Sequence, residues 1–121
     1  MARVEVYADH RGKQPVVAYI ATLARSPAEA ASIARYVDLL EEHGEQLQPP
    51  VASIIDRKER IFELRPGNHR VAYAFHRGKY VVLHAWRKQT QKVDKQELRR
   101  ARLRLDDWKR RNPDTKLEDN Q

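Results

Sequence analysis

The sequence predicts an α+β fold in one domain: an N-terminal strand, a helical hairpin, a three-stranded antiparallel meander that completes a twisted sheet, and a C-terminal helix. Three observations predict it. Apolar residues recur at helical spacing in the first third of the chain, alternate with polar residues in three middle runs, and return to helical spacing near the end. The 121 residues fit a single domain, which we place at 1–111, and 112–121 are expected to form a frayed tail.

The N-terminal third predicts one strand and two helices. Residues 2–8 alternate valine with polar residues, which is typical of a strand. The stretch "KQPVVAYIATLARS" has apolar residues at helical spacing and a proline in its first turn. A second helix follows a capping box of Ser26 and Glu29 and ends at Gly44. The two helices are expected to form an antiparallel hairpin.

The middle of the chain predicts the meander. Residues 60–65, 69–76 and 79–86 each alternate apolar and polar side chains. Short turns that contain glycine join them, so neighbouring strands must be antiparallel. Residues 51–59 fit neither period and stay ambiguous.

The C-terminal helix carries most of the charge asymmetry. Asp94 and Glu97 form a predicted capping box in front of it. Residues 87–111 hold eleven Lys or Arg and four acids, which accounts for the whole net charge of +7. Such a segment indicates an anionic partner, either nucleic acid or an acidic protein; the alternative is a solvated helix face. The buried stripe of this helix is predicted to be Leu98, Ala101, Leu105 and Trp108.

Several classes of protein are disfavoured by composition. The chain has no cysteine, hence no disulfide framework, thiolate nucleophile or cysteine zinc site. Its histidines and acids lack metal-ligand spacing, so we expect no metal or other cofactor. No apolar run approaches the roughly 18 residues of a membrane span, and the N-terminus lacks the apolar region of a signal peptide. We therefore expect a cytoplasmic protein with no membrane partner.

Sorting the strands by parity predicts two different sheet faces. The first is apolar and is expected to pack on the helical hairpin: Phe62, Leu64, Val71, Tyr73, Phe75, Val81, Leu83 and Ala85. The second is expected to be an open polar surface: Glu63, Arg65, Arg70, Ala72, Ala74, Val82, His84, Trp86 and Lys88. The two alanines would leave a hollow with a charged rim. Alternatively, Glu63, Arg65 and Arg70 only form cross-strand salt bridges.

This polar face suits metal-free chemistry on RNA. The 2′-hydroxyl is a nucleophile within the substrate, so a protein need only align it, remove its proton and stabilise the crowded phosphate. Arginine and lysine can supply positive charge, and Glu63 is one possible general base. His84 or His69, beside several cations, is expected to be neutral and to be another proton acceptor. Trp86 could stack on a base or pack under the last helix.

The run "FELRPGNHRVAYAFHRGKYVVLHAWRKQTQKVDKQELRRA" closely resembles the phage-derived HigB-like branch of the RelE/ParE toxin superfamily. The resemblance covers residues 60–101, and the preceding strand–helix–helix order agrees with it. It implies a compact RelE-like fold and a toxin paired with a cognate antitoxin encoded nearby. The implied activity is endoribonuclease cleavage of messenger RNA, usually on the ribosome, which leaves a 2′,3′-cyclic phosphate and inhibits translation.

The resemblance also implies site residues. Arg70 matches the recurrent catalytic arginine, and Arg87 and Lys88 match the basic end of the last strand. Glu63 and Arg65 match a strand on which some relatives carry lysines, so the general base is not identified. His84 matches the branch motif without an assigned role. Parity places Arg87 on the hairpin side of the sheet, apart from the others. The expected RNA-contacting residues are Trp86, Lys92, His69, Arg99 and Arg102.

Two other functions fit the same sequence. A ParE-like poison of DNA gyrase would keep this fold and lack nuclease activity. A non-enzymatic protein that binds nucleic acid or an antitoxin would keep the basic surface and have a decayed site. The dense charged set on one sheet face favours the nuclease.

Overall fold

A computed structural model describes residues 3–92 and 94–113 and confirms the predicted α+β class. The part of the predicted tail beyond Pro113 lies outside the described residues. The strands are β1 (Arg3–Val6), β2 (Ala52–Asp56), β3 (Ile61–Leu64), β4 (His69–His76) and β5 (Lys79–Arg87). The helices are α1 (Pro15–Ala21), α2 (Pro27–His43) and α3 (Lys95–Arg111), and a 3-10 turn at Gly44–Gln46 follows α2.

The sheet has five strands in the order β1-β5-β4-β3-β2. Strands β2 to β5 form an antiparallel meander, and β1 pairs with β5 in parallel. The ambiguous stretch 51–59 therefore supplies a fourth meander strand. A register shift between Ile54 and Asp56 interrupts the alternation there, so a period of two was not visible in the sequence.

A bulge in β5 corrects the predicted sorting of faces. Ala72 of β4 pairs with His84, but the next residue, Tyr73, pairs with Val82, so Leu83 is the extra residue. One inserted residue exchanges the two faces on either side of it. Val82 therefore lies on the hairpin side, whereas Val81 and Leu83 belong to the opposite core.

The prediction of an open polar face is wrong over most of its length, because α3 covers it and leaves one end open. Ala72 and Ala74 are buried against the apolar stripe of α3, so they make room for a helix and leave no hollow. The second core consists of Ile61, Ala72, Ala74, Val81, Leu83, Trp86, Leu98, Ala101, Leu105 and Trp108, together with Tyr7. The sheet is thus packed between the helical hairpin on one face and α3 on the other.

Polar contacts fix α3 near both of its ends. The Asp94 carboxylate accepts from the backbone N–H groups of Gln96 and Glu97, so the predicted N-cap is confirmed. The Tyr7 hydroxyl donates to Asp107 at 2.6 Å near the other end of the helix. No side-chain cap forms at Ser26, although α2 does begin after it.

The hairpin side contains Val16, Leu23, Ile33, Leu40, Leu64, Val71, Tyr73, Tyr80, Val82 and Ala85 in one cluster. Phe75 was also assigned to this core, but it is 55 % exposed, because the hairpin does not reach the end of β4. No described helix combines the length and the apolar character needed to cross a bilayer.

We predict that Gly44→Ala lowers the free energy of unfolding by about 1–3 kcal/mol. Gly44 has φ +48°, and an added Cβ would lie 2.7 Å from the Tyr80 hydroxyl oxygen. Urea denaturation measures the loss. Gly12→Ala is the matched control, because Gly12 has φ +82° but open space around it. Equal losses in the two variants would show that the contact with Tyr80 is unimportant.

Candidate functional site

A cleft opens where β4 begins and β5 ends, beside the loop that leads into α3. Its lining comprises Glu63, Arg65, Arg70, Trp86, Lys88, Gln89, Thr90, Gln91, Lys92 and Asp94. We call it the cationic cleft. It unites six of the residues predicted to act in the site: Glu63, Arg65, Arg70, Trp86, Lys88 and Lys92. They lie on the sheet face that carries α3, at the end that the helix leaves uncovered.

Arg70 is held in place mainly by the backbone. Its Nη1 donates to the carbonyl oxygens of Gly67 at 2.8 Å and His69 at 2.7 Å. Its Nε is buried without a hydrogen bond and lies 3.7 Å from a carboxylate oxygen of Glu63. Burial lowers the pKa of Arg70, and Glu63 opposes that effect. An arginine stays charged at neutral pH, so this is a preoriented cation.

Glu63 lies between two guanidinium groups. Its Oε2 accepts from Arg65 Nε at 3.1 Å and faces Arg70. The salt bridges predicted as the structural alternative therefore exist, and they lie within the cationic cleft.

Two further cations in the cleft have no counterion among the residues that the structure describes. The ammonium groups of Lys88 and Lys92 make no ion pair with the described part of the chain, whereas Asp94 is engaged as the cap of α3. The lining thus carries four cations against two carboxylates, one of which is engaged elsewhere. This excess charge is suited to a phosphate group.

His69 lies on the opposite face of the sheet from the cleft, and its backbone helps to hold Arg70. Its ring is 2 % exposed and lies on the hairpin side, between Tyr19 and Glu29. Nδ1 is 2.7 Å from the Tyr19 hydroxyl, and Nε2 is 2.7 Å from Glu29 Oε1. The carbonyl of the same residue holds Arg70. The structure therefore does not bring this ring to the cleft surface, where it was predicted to contact RNA.

His84 lies beneath α3, away from the lining of the cleft. Its Nε2 is 3.0 Å from Glu97, and Arg104 Nη1 is 2.5 Å from Nδ1. Burial is the main cause of a lowered pKa, and Glu97 opposes it. Because Arg104 must donate to Nδ1, the neutral ring carries its proton on Nε2. The direction of the pKa shift is the expected one, but its main cause is burial and not the neighbouring cations. Both ring nitrogens already have partners.

Trp86 is 6 % exposed and packs against α3, with its ring stacked on His84 at a centroid distance of 5.3 Å. Its remaining surface lines the cleft. Arg87 lies on the hairpin side, as parity predicted, with Nη2 3.5 Å from Glu29. Arg102 pairs with Asp56 at 2.5 Å on α3, outside the cleft. Arg99 is exposed on the same helix and is likewise outside it.

Two supporting residues were missed. Glu29 was interpreted only as part of a helix cap, and Tyr19 only as a helical residue. The Ser26–Glu29 spacing gave a reason to place a carboxylate at that helix end but no information about its partner on β4. No cluster of three or more His, Cys, Asp or Glu side chains is arranged to hold a metal ion within 3–92 and 94–113.

Residues 22–106 match the family model of phage-derived Gp49-like proteins (DUF891). This family lies in the context of the RelE/ParE-like toxins, which confirms the resemblance at that level. No curated protein matches the chain. The assignment to the HigB-like branch stays a prediction.

We predict that His84 makes folding stability depend on pH near neutrality. Because its folded pKa is lowered from 6.5, the unfolded chain binds a proton first as pH falls. The free energy of unfolding contributed by this residue is complete above pH 6.5 and declines below it, by at most about 1.4 kcal/mol per pH unit. Urea denaturation at several pH values from about 7.5 to about 5 measures this decline.

His84→Gln is the comparison for this prediction, because glutamine does not titrate. The difference in unfolding free energy between wild type and variant should shrink as the pH falls. The lowered carboxyl pKa values of Glu29, Asp56 and Asp107 act below about pH 4.5 and stay outside this window. A difference that is constant across the range would contradict the role of His84.

Proposed function

We infer that this chain, which belongs to the family of phage-derived Gp49-like proteins, is the toxin of a type II toxin–antitoxin pair and cleaves messenger RNA. Membership of a toxin-like family supports the first part. The second rests on one observation: the preoriented guanidinium of Arg70 shares a cleft with Lys88 and Lys92, which make no ion pair among the described residues. The HigB-like branch is part of the same proposal.

RNA contains the nucleophile for this reaction. The 2′-oxygen attacks the adjacent phosphorus, and the bond from phosphorus to the 5′-oxygen breaks. The products are a 2′,3′-cyclic phosphate and a 5′-hydroxyl. The protein must hold the phosphate, accept the 2′ proton and provide a proton for the leaving oxygen. A chain with these groups needs no metal ion for the step, and DNA, which lacks the 2′-hydroxyl, is not cleaved.

The cleft offers a group for each task. Arg70 holds the phosphate, since its orientation is fixed before substrate arrives. Lys88 neutralises developing charge and can protonate the leaving oxygen. Glu63 is the proton acceptor, being a carboxylate of the lining that is not used as a helix cap. Its salt bridges to Arg65 and Arg70 hold the carboxylate in place, and Glu63→Gln tests this role directly.

The exposed cations of α3 extend the charge beyond the cleft. Lys95 and Arg99 lie on the outer side of the helix, close to its cationic N-terminal loop. They would contact phosphates of ribosomal RNA while messenger RNA occupies the cleft. A cognate antitoxin, acidic or helical, is the proposed neutralising partner.

We predict that wild-type protein cleaves messenger RNA in the presence of EDTA and that Lys88→Ala lowers the rate by about 100-fold. Arg70→Ala should lower it at least as much. The assay compares messenger RNA alone, in EDTA, with the same RNA on programmed ribosomes, in the Mg²⁺ that ribosomes require, and identifies the cyclic phosphate by mass spectrometry. Arg57→Ala is the matched control, because Arg57 is exposed in the β2–β3 turn, outside the cleft.

The outcomes separate the competing functions. Cleavage only on ribosomes would support the proposed contact of α3 with ribosomal RNA. If free messenger RNA is cleaved, loss of that cleavage in EDTA would contradict the metal-free step. No cleavage of either RNA by wild type would overturn the nuclease, and inhibition of DNA supercoiling would then support a gyrase poison. Lys88 has no ion-pair partner among the described residues, so its variant should keep the wild-type free energy of unfolding.

A second prediction concerns the contact between Glu29 and His69, the residue whose carbonyl oxygen holds Arg70. Glu29→Gln removes the charge opposite His69 Nε2 and should lower the cleavage rate by about 10- to 100-fold with KM nearly unchanged. Single-turnover kinetics measure the two parameters. Asp38→Asn is the control, an exposed acid elsewhere on α2. The variant could lose activity only because it is less stable. If lowering the temperature restores both its folding and its activity, the contact is structural alone.

A further inference from the structure

The sheet has a second concave surface at the end opposite the cationic cleft. It lies on the hairpin face, where α2 stops short of the last residues of β4. The lining consists of Gly44, Glu45, Leu47, Arg60, Phe62, Tyr73, Phe75 and Tyr80, around a cavity of about 290 Å³. We call this surface the aromatic groove. A neighbouring cavity of about 280 Å³, which shares Gly44, Glu45, Phe75 and Tyr80, extends it past Glu41 and Glu42.

Four aromatic rings form a continuous surface in the groove. Phe62 stacks on Tyr73 with centroids 5.5 Å apart, and Tyr80 meets Tyr73 at 6.0 Å and Phe75 at 4.9 Å. The rings of Tyr73 and Tyr80 are buried, whereas Phe75 is 55 % exposed. A single exposed apolar residue has no special meaning, but one that continues a buried aromatic row into a cavity marks a binding surface.

The charge around the groove differs in sign from that of the rest of the chain. The linings of the two cavities together hold three acids, Glu41, Glu42 and Glu45, against one cation, Arg60, although the whole chain has a net charge of +7. Glu41 and Glu45 make no ion pair with the described residues, so their charge is available to a ligand. Nucleic acid and acidic proteins are repelled here, while a basic segment is attracted.

We propose that the aromatic groove binds a protein segment that presents a large apolar side chain next to Lys or Arg. The apolar side chain covers Phe75 and enters the cavity between Phe62 and Tyr80. The basic neighbour pairs with Glu41 or Glu45. This inference is independent of the proposed nuclease activity.

The aromatic groove and the cationic cleft lie far apart on the sheet. Arg70 begins β4 and Phe75 nearly ends it, so about five residues, or ~17 Å, separate the two surfaces along the strand. They also face opposite sides of the sheet. A segment bound in the groove therefore leaves the cationic cleft open.

The test uses ¹⁵N-labelled full-length protein and three capped peptides: Gly-Lys-Leu-Phe-Arg-Gly, the same peptide with Ala-Ala for Leu-Phe, and the same peptide with Glu for both cations. The first should shift amide signals of Gly44, Glu45, Phe75 and Tyr80 in a saturable way. Each of the other two should bind at least about 5-fold more weakly, because one lacks the anchor and the other meets like charge.

Matched variants identify the residues that contact the peptide. Phe75→Ser and the double variant Glu41→Gln, Glu45→Gln should each weaken the first peptide at least about 5-fold. Leu103→Ser is the control, since Leu103 is 61 % exposed on α3 and distant from the groove, and it should change nothing. Because Phe75 is largely exposed, its variant should fold, and its amide spectrum verifies this.

Several results would overturn the proposal. These are unchanged affinity in Phe75→Ser, equal binding of the acidic peptide, shifts confined to α3 or the cationic cleft, and no saturable shift at millimolar peptide. Shifts at the groove that grow with protein concentration, without peptide, would instead assign the surface to a second copy of this chain.

Discussion

The bulge at Leu83 is the constraint on which the rest of the structure depends. β5 pairs with both β1 and β4, so every layer of the molecule contacts it. By inserting one residue, the strand directs Tyr80 and Val82 to the helical hairpin and then presents His84 and Trp86 to α3. In a regular strand these four residues would share one face of the sheet. Either the apolar start or the polar end of β5 would then face the wrong helices.

This bulge also explains which parts of the architecture the sequence predicted. Alternation and capping signals are local, so the strands and the start of α3 were predicted close to their observed positions. A bulge has no composition of its own, and the parity count passed through Leu83 as if the strand were regular. Strand β2 was missed for the same reason, because its register shift near Asp56 interrupts the alternating pattern.

The site was predictable to the extent that it lies on one sheet face. Glu63, Arg70 and Lys88 were grouped correctly because alternation within each strand assigns them to one face and the bulge displaces none of them. The packing of α3 over His84 and Trp86 was not predictable. A stripe of apolar residues indicates that a helix is buried, but it does not indicate against which face of the sheet. Glu29 and Tyr19 were missed because their partner on β4 is distant in sequence, 40 and 50 positions away.

The contact between Glu29 and His69 has a consequence for regulation. α2 and the start of β4 are linked through a buried ring, and the backbone of that ring's residue holds Arg70. A ligand that bound more tightly when the first turn of α2 was displaced would stabilise a state in which the arginine is no longer preoriented. Such a ligand would bind at the helical hairpin and weaken the binding of anions in the cleft without entering it. By linkage, an anion held at Arg70 would weaken that ligand by the same factor.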